Sequence, residues 1–238
     1  MRLLPAATLL TAAALPLALA ACTTGSPSAP APAAAPPSAA PSPANLNAGL
    51  LTGTQLKGLL EPRSYFPQGY ARDPAGTRDT GSGYQQPGAT DVTKPKCRLL
   101  GATSWTSITG ISGVSFAEDD YINKARSSEI AQEIDVYRGT ASQAVMRKLG
   151  AVATACPGYT DPQTGSRATV SEKASPRFAE GGYVITVTDP AWRSGTTLVA
   201  ARAGTAVVTV LSTDGADNGR ASAMRLASQL VSVLQGVT

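Results

Sequence analysis

Residues 23–44, TTGSPSAPAPAAAPPSAAPSPA, hold only Ala, Pro, Ser, Thr and one Gly, and seven of them are proline. A segment of this composition buries too little apolar surface to offset the entropy of ordering it. Its prolines favour an extended polyproline II course at about 3.1 Å per residue, a reach on the order of 70 Å. The stretch reads as a stalk, and its Ser and Thr permit O-glycosylation. It confines the folded part to residues 46–238, about 190 residues, enough for one domain with a real core.

What precedes the stalk has the parts of an export signal. Arg2 gives a small positive start, and residues 3–20 are apolar apart from two threonines. Pro5 and Pro16 argue against a stable membrane helix, and small residues precede the cut. Leu19-Ala20-Ala21-Cys22 resembles the lipobox of bacterial lipoproteins. That resemblance implies a signal peptide over 1–21, a diacylglyceryl group on Cys22, and a stalk over 22–45. Two acyl chains satisfy the two-signal condition for stable attachment. The expected place is the extracytoplasmic face of the cell membrane, with the membrane itself the first partner. No other window approaches the roughly 18 apolar residues of a spanning helix.

The chain carries a formal charge of +4, with basic and acidic residues interspersed. That modest excess argues against a nucleic-acid partner. Cys97 and Cys156 remain once Cys22 is assigned to lipid. In an exported domain two cysteines usually form a disulfide, here closing a loop of about 60 residues. A redox or nucleophilic cysteine is the alternative, but neither position has a C-x-x-C neighbour.

Along the folded part, LLTGTQLKGLLEP reads as a short helix capped by Thr52 or Thr54 and stopped before Pro62. Residues 61–96 show no period and read as a long loop, either functional or disordered. One strand is expected within residues 108–121. SEIAQEIDVY alternates, with Ile130, Gln132, Ile134 and Val136 on one side and Ala131, Glu133, Asp135 and Tyr137 on the other. GTASQAVMRKLGAVATACPGY reads as a helix with a capping box at Thr140 and Gln143, ended by Pro157-Gly158. Four strands follow, near residues 167–173, 183–188, 197–202 and 205–212, the last two joined around Ala203-Gly204. Residues 217–235 form an amphipathic helix. The expected fold is α+β and two-layered: an antiparallel sheet of about five to six strands with helices on one face.

The chain contains no histidine. Ser-His-Asp and Cys-His catalysis and histidine zinc sites are therefore ruled out. It has no glycine-rich phosphate loop and no EF-hand spacing, so neither a cofactor nor a metal is expected. Glu118, Asp119 and Asp120 stand together in AEDDY, a pattern open to glycoside hydrolysis but read here as a solvated acidic turn. Ser171 and Lys173 would share a strand face, an ordinary coincidence in a serine-rich chain. The remaining candidates for ligand contact are aromatic and cationic: Tyr65, Tyr70 and Tyr84 in the long loop, with Trp192 and Arg193 in DPAWRSG. The last two are as readily a cover for the sheet edge.

The order of LLTGTQLKGLL, Cys97-Arg98-Leu99, IDVYRGTASQA, ATACPGY and TLVAARAGTAVVTV before a terminal helix resembles the actinobacterial sensor-domain lipoproteins related to the extracellular domain of PknH-type Ser/Thr kinases. The resemblance spans nearly all of residues 46–238. It implies one α+β domain with a cleft for an extracellular ligand and gives no catalytic residues to carry over. Two departures stand out: such domains typically have two disulfides, and this chain has cysteines for one and no kinase motifs. The expected function is a non-catalytic ligand-binding or sensor module for cell-envelope material, signalling through a membrane protein partner. The alternatives are an assembly factor for another envelope protein and, behind it, a carboxylate-dependent wall-polymer hydrolase.

Overall fold

The computed structural model describes residues 45–90, 92 and 94–237. The signal segment, Cys22 and all but the last residue of the stalk lie outside them.

Thr52 opens α1 (Gly53–Lys57) with a capping box: Gln55 N donates to Thr52 Oγ1 at 3.4 Å, and Thr52 N donates to Gln55 Oε1 at 2.9 Å. The chain then enters β1 (Ala71–Asp79), inside the stretch expected to be loop. The strand escapes periodicity because Pro74 and Gly76 sit within a register shift between Asp73 and Arg78. An edge strand tolerates a proline and a bulge that a central strand does not.

After α2 (Thr106–Thr109), β2 (Ser115–Asn123) and β3 (Ser128–Val136) form a hairpin. The acidic AEDDY segment is therefore strand β2, not a solvated turn, and Glu118 and Asp119 are buried. The helix expected after β3 is two pieces, α3 (Ala141–Leu149) and α4 (Val152–Ala155), broken at Gly150. A side chain at Gly150 would clash with the Tyr183 hydroxyl, so glycine there makes room for the ring. Thr140 makes no side-chain cap; the capping box lies at Thr52 instead.

The rest of the sheet is β4 (Gly158–Thr160), β5 (Arg167–Ala174), β6 (Gly182–Thr188), β7 (Thr196–Ala203) and β8 (Ala206–Ser212), followed by α5 (Arg220–Gln235). Asp217 Oδ2 accepts from Ala221 N at 2.9 Å at the helix start. All eight strands join one sheet in the order β1-β2-β3-β8-β7-β6-β5-β4, every pair antiparallel. The expectation of five to six strands missed β1 and the three-residue β4.

Helices cover both faces, which corrects the two-layer expectation. Val199 and Ala201 of β7 pack with Ala223, Leu226, Leu230 and Leu234 of α5. Their neighbours Leu198 and Ala200 pack with Val145, Met146, Leu149 and Val152 of α3 and α4. Alternate residues of a strand point to opposite sides, so the two helical layers flank the sheet. The topology requires it: β3 lies mid-sheet and β4 at the far edge, and α3–α4 cross one face between them. A disulfide joins Cys97 to Cys156 with Cα atoms 5.5 Å apart, fastening the turn before α2 to the end of α4.

Candidate functional site

Two unusual environments stand out. The first lies on the α3–α4 side of β1–β3. There the alternation of β2 and β3 projects Glu118 and Asp120 beside Glu129, Glu133 and Asp135. Segment 103–105 bears on this face: Thr103 is 2% exposed, and the Trp105 indole donates to Thr209 Oγ1 at 2.7 Å. Arg78 of β1 makes an ion pair with Glu118.

The Thr103 hydroxyl lies 2.6 Å from Glu118 Oε1 and also contacts Glu133 Oε2. One hydroxyl carries one proton and cannot donate to both. One of those contacts therefore needs a proton from a carboxyl of this cluster. Burial pushes Glu133 well above the usual carboxylate range, and the charges of Asp135 and Glu118 add to the effect. Asp135 is pushed up to about 7 by burial first, against a hydrogen bond from Glu133 that pulls it down. Asp120 is likewise pushed up to about 7, by burial and then by Glu118, Glu129 and Asp73. Among the described residues no group of three carboxylates is arranged to hold a metal ion. Asp119, the third member of AEDDY, points to the opposite face and pairs with Arg72 at 2.6 Å. The triplet is thus split by the strand and forms no catalytic pair of neighbours.

The second environment is a cavity of about 460 Å³ at the end of the sheet where β2 meets β3. Its walls come from three connections: Arg126 and Ser127 of the β2–β3 turn, Arg193 and Ser194 of the β6–β7 loop, and Thr213 and Asp214 after β8. The walls are cross-braced. Gly195 N donates to Asn218 Oδ1 at 2.8 Å, Ser194 Oγ donates to Thr213 O at 3.2 Å, and Glu129 N donates to Thr213 Oγ1 at 2.9 Å. Ser127 and Asn218, the two non-glycine residues with positive φ among those described, sit in these same connections at 50° and 60°. That backbone costs about 1 kcal/mol or more per residue and is held by its surroundings.

The residues singled out for ligand contact are not gathered in one place. Tyr70 is 2% exposed, its hydroxyl is 2.9 Å from Ser128 Oγ, and burial pushes its pKa up to about 12. Tyr65 is half-buried, edge-on to Phe66 at 5.5 Å and under the Arg225 guanidinium at 6.0 Å. Tyr84 donates to Leu50 O. These three rings pack the α1–α5 side. Trp192 donates to Asp161 Oδ2 at 2.6 Å and lines a smaller cavity, about 280 Å³, with Arg98 and Tyr159. Arg193 alone lines the cavity between the three connections. Its partner there, Arg126, sequence reasoning missed. The only signal was the polar turn KARS between two alternating strands, and nothing in it points toward residue 193.

The fold is similar to that of the extracellular domain of PknH from Mycobacterium tuberculosis, with a TM-score of 0.52 and 13% identity over 78% of this chain and 97% of that chain. At this identity the likeness shows the fold alone. No family model and no curated protein matches the sequence.

Proposed function

We propose that the protein is a lipid-anchored, extracytoplasmic, non-catalytic module that binds a ligand from the cell envelope at the loop end of its sheet. The observation that carries the reading is the cavity between the three braced connections, whose walls present Arg126 and Arg193, in no ion pair among the described residues. Its volume lies within the roughly 300–1,000 Å³ of small-ligand pockets. The similarity of fold to a kinase's extracellular domain supports the extracytoplasmic setting, and the Cys22 lipobox supports the tether. Among the described residues no helix is long and apolar enough to cross a membrane.

The assembly-factor reading finds less support. Leu46 and Val237 are the exposed large hydrophobics among the described residues, so the sheet and helices leave no broad apolar patch for a protein partner. The hydrolase reading finds less still, because Glu118 is held by Arg78 and Thr103 while Asp119 faces away.

The test is a thermal-unfolding screen of the full chain in detergent, followed by Trp fluorescence, against wall fragments, lipids, sugars, peptides and metals. A ligand at a hundred times its dissociation constant adds about 2.7 kcal/mol, roughly 5–10 °C for a domain this size. A screen in which nothing shifts the midpoint sinks the reading.

A further inference from the structure

We infer that the cavity between the β2–β3 turn and the β6–β7 loop binds the oxyanion of a small ligand, a phosphate ester or a carboxylate, clamped by Arg126 and Arg193. This inference rests on the ligand-binding reading above and names its ligand chemistry.

Four ion pairs are formed among the described residues, by Lys57, Arg72, Arg78 and Arg202. Arg126 and Arg193 are in none of them, and among the described residues neither guanidinium makes a hydrogen bond. Many surface arginines share that condition. These two differ in reaching one cavity from separate connections of a braced frame. A guanidinium is planar and offers paired donors matched to carboxylate and phosphate oxygens, so two of them make a clamp rather than a diffuse positive surface. The frame is set before the ligand arrives, and only the two side chains need ordering.

Charge separates this cavity from its neighbours. The one on the acidic face is lined by Asp73, Glu118, Asp120 and Glu129 against Arg78 alone and repels an anion. The one across the β2–β3 turn holds Arg72 and Lys124 against Asp73, and with Arg72 already engaged by Asp119 it offers, among the described residues, one free cation rather than two, and no free guanidinium. In the arginine cavity the opposing charge is Asp214, which accepts from Ser222 Oγ at 3.1 Å. Two cations and one carboxylate suit an oxyanion that carries a hydroxyl or ammonium group nearby.

The experiment is titration calorimetry of the full chain in detergent with two probes, glycerol 3-phosphate and alanyl-alanine, at low and high salt. At least one probe is expected to bind, more weakly at high salt. Arg126→Gln and Arg193→Gln are each expected to weaken it ten-fold to a hundred-fold. Arg193→Lys, which keeps the charge and loses the fork, is expected to fall between. Asp214→Asn separates the sources: it tightens glycerol 3-phosphate by removing a repulsion and weakens alanyl-alanine by removing the ammonium's partner. Both arginines are exposed, so unchanged melting of the variants shows that a lost signal is lost binding. Binding that survives the double arginine variant overturns the clamp, as does silence of both probes at millimolar concentration. If another molecule from the screen binds without regard to these arginines, the clamp falls and the ligand-binding reading stands. If the whole screen is silent, both fall.

Discussion

On the α3–α4 side of the sheet, strands β5–β8 present Val170, Ile185, Val187, Leu198, Ala200, Val207 and Leu211. One strand further on, the same side of β2 and β3 presents Glu118, Asp120, Glu133 and Asp135. The two regions share a sheet, a register and a degree of burial, yet one is hydrocarbon and the other is carboxyl. Burial of the first stabilises the fold at about 25 cal/mol per Å² of apolar surface removed from water. Burial of the second raises the energy of every charge it encloses. The acidic region persists because its groups need not all be charged: burial pushes Asp120, Glu133 and Asp135 upward, Thr103 bonds to Glu118 and Glu133, and Arg78 pairs with Glu118. The same backbone architecture therefore carries one region whose stability is indifferent to pH and one whose stability depends on it.

The disulfide spans this contrast, fastening the turn that leads to the cover of the acidic region to the helix above the apolar one. Replacing Cys97 and Cys156 by serine removes a constraint on a loop with a sequence separation of 59. The expected loss is about 4 kcal/mol in the chain-entropy model, or roughly 8–16 °C in the thermal midpoint. A smaller loss would show that the unfolded chain already keeps the two regions together.

Leu198→Ala, in the centre of the apolar region and fully buried, is expected to cost about 3 kcal/mol through lost transfer energy and the cavity left behind. Chemical denaturation at pH 5 and pH 8 should give the same decrement at both. A decrement that changes with pH would mean that the two regions are coupled.

Asp135→Asn tests the acidic region and has the opposite sign. Its folded pKa, raised to about 7, means that the folded protein retains a proton the unfolded chain releases near pH 4. Stability therefore falls as pH rises from about 4 to about 7 and levels off above, by at most on the order of 4 kcal/mol for this group. The amide removes that term. The variant should melt roughly 5 °C higher than the parent at pH 8 and nearly with it at pH 4. Equal melting at every pH would show that Asp135 titrates normally in the folded state.

The smallest effect is expected from Glu180→Gln, at the partly exposed pair with Arg202, 3.0 Å apart. Such pairs contribute about 0–1 kcal/mol, and high salt should erase the difference. A larger effect would place the bond from Gly204 N to Glu180, rather than the ion pair, in control of the β7–β8 turn.

The central strands were legible because β3, β6, β7 and β8 alternate cleanly or run β-branched, and sheet burial follows that pattern directly. Strand β1 was not, because Pro74, Gly76 and a register shift erase the period of two, and only pairing with β2 makes it a strand. The candidate cavity was half legible. Arg193 was marked by its neighbour Trp192 and its turn, while Arg126 gained meaning only when the β2–β3 turn and the β6–β7 loop met at one end of the sheet.

Local rules, then, determined what depends on neighbours in the chain: the alternation of β3, the amphipathic stripe of α5, and the exclusion of histidine chemistry. Tertiary structure decided what depends on what lies opposite. Glu133 and Asp135 alternate with Ile134 as any solvent-facing residues would, and nothing in SEIAQEIDVY says that Thr103 and Trp105 cover that face. A strand's period fixes which side a residue faces, whereas the medium on that side is set by chain far away in sequence. With it are set the charge, the pKa and the use of the group.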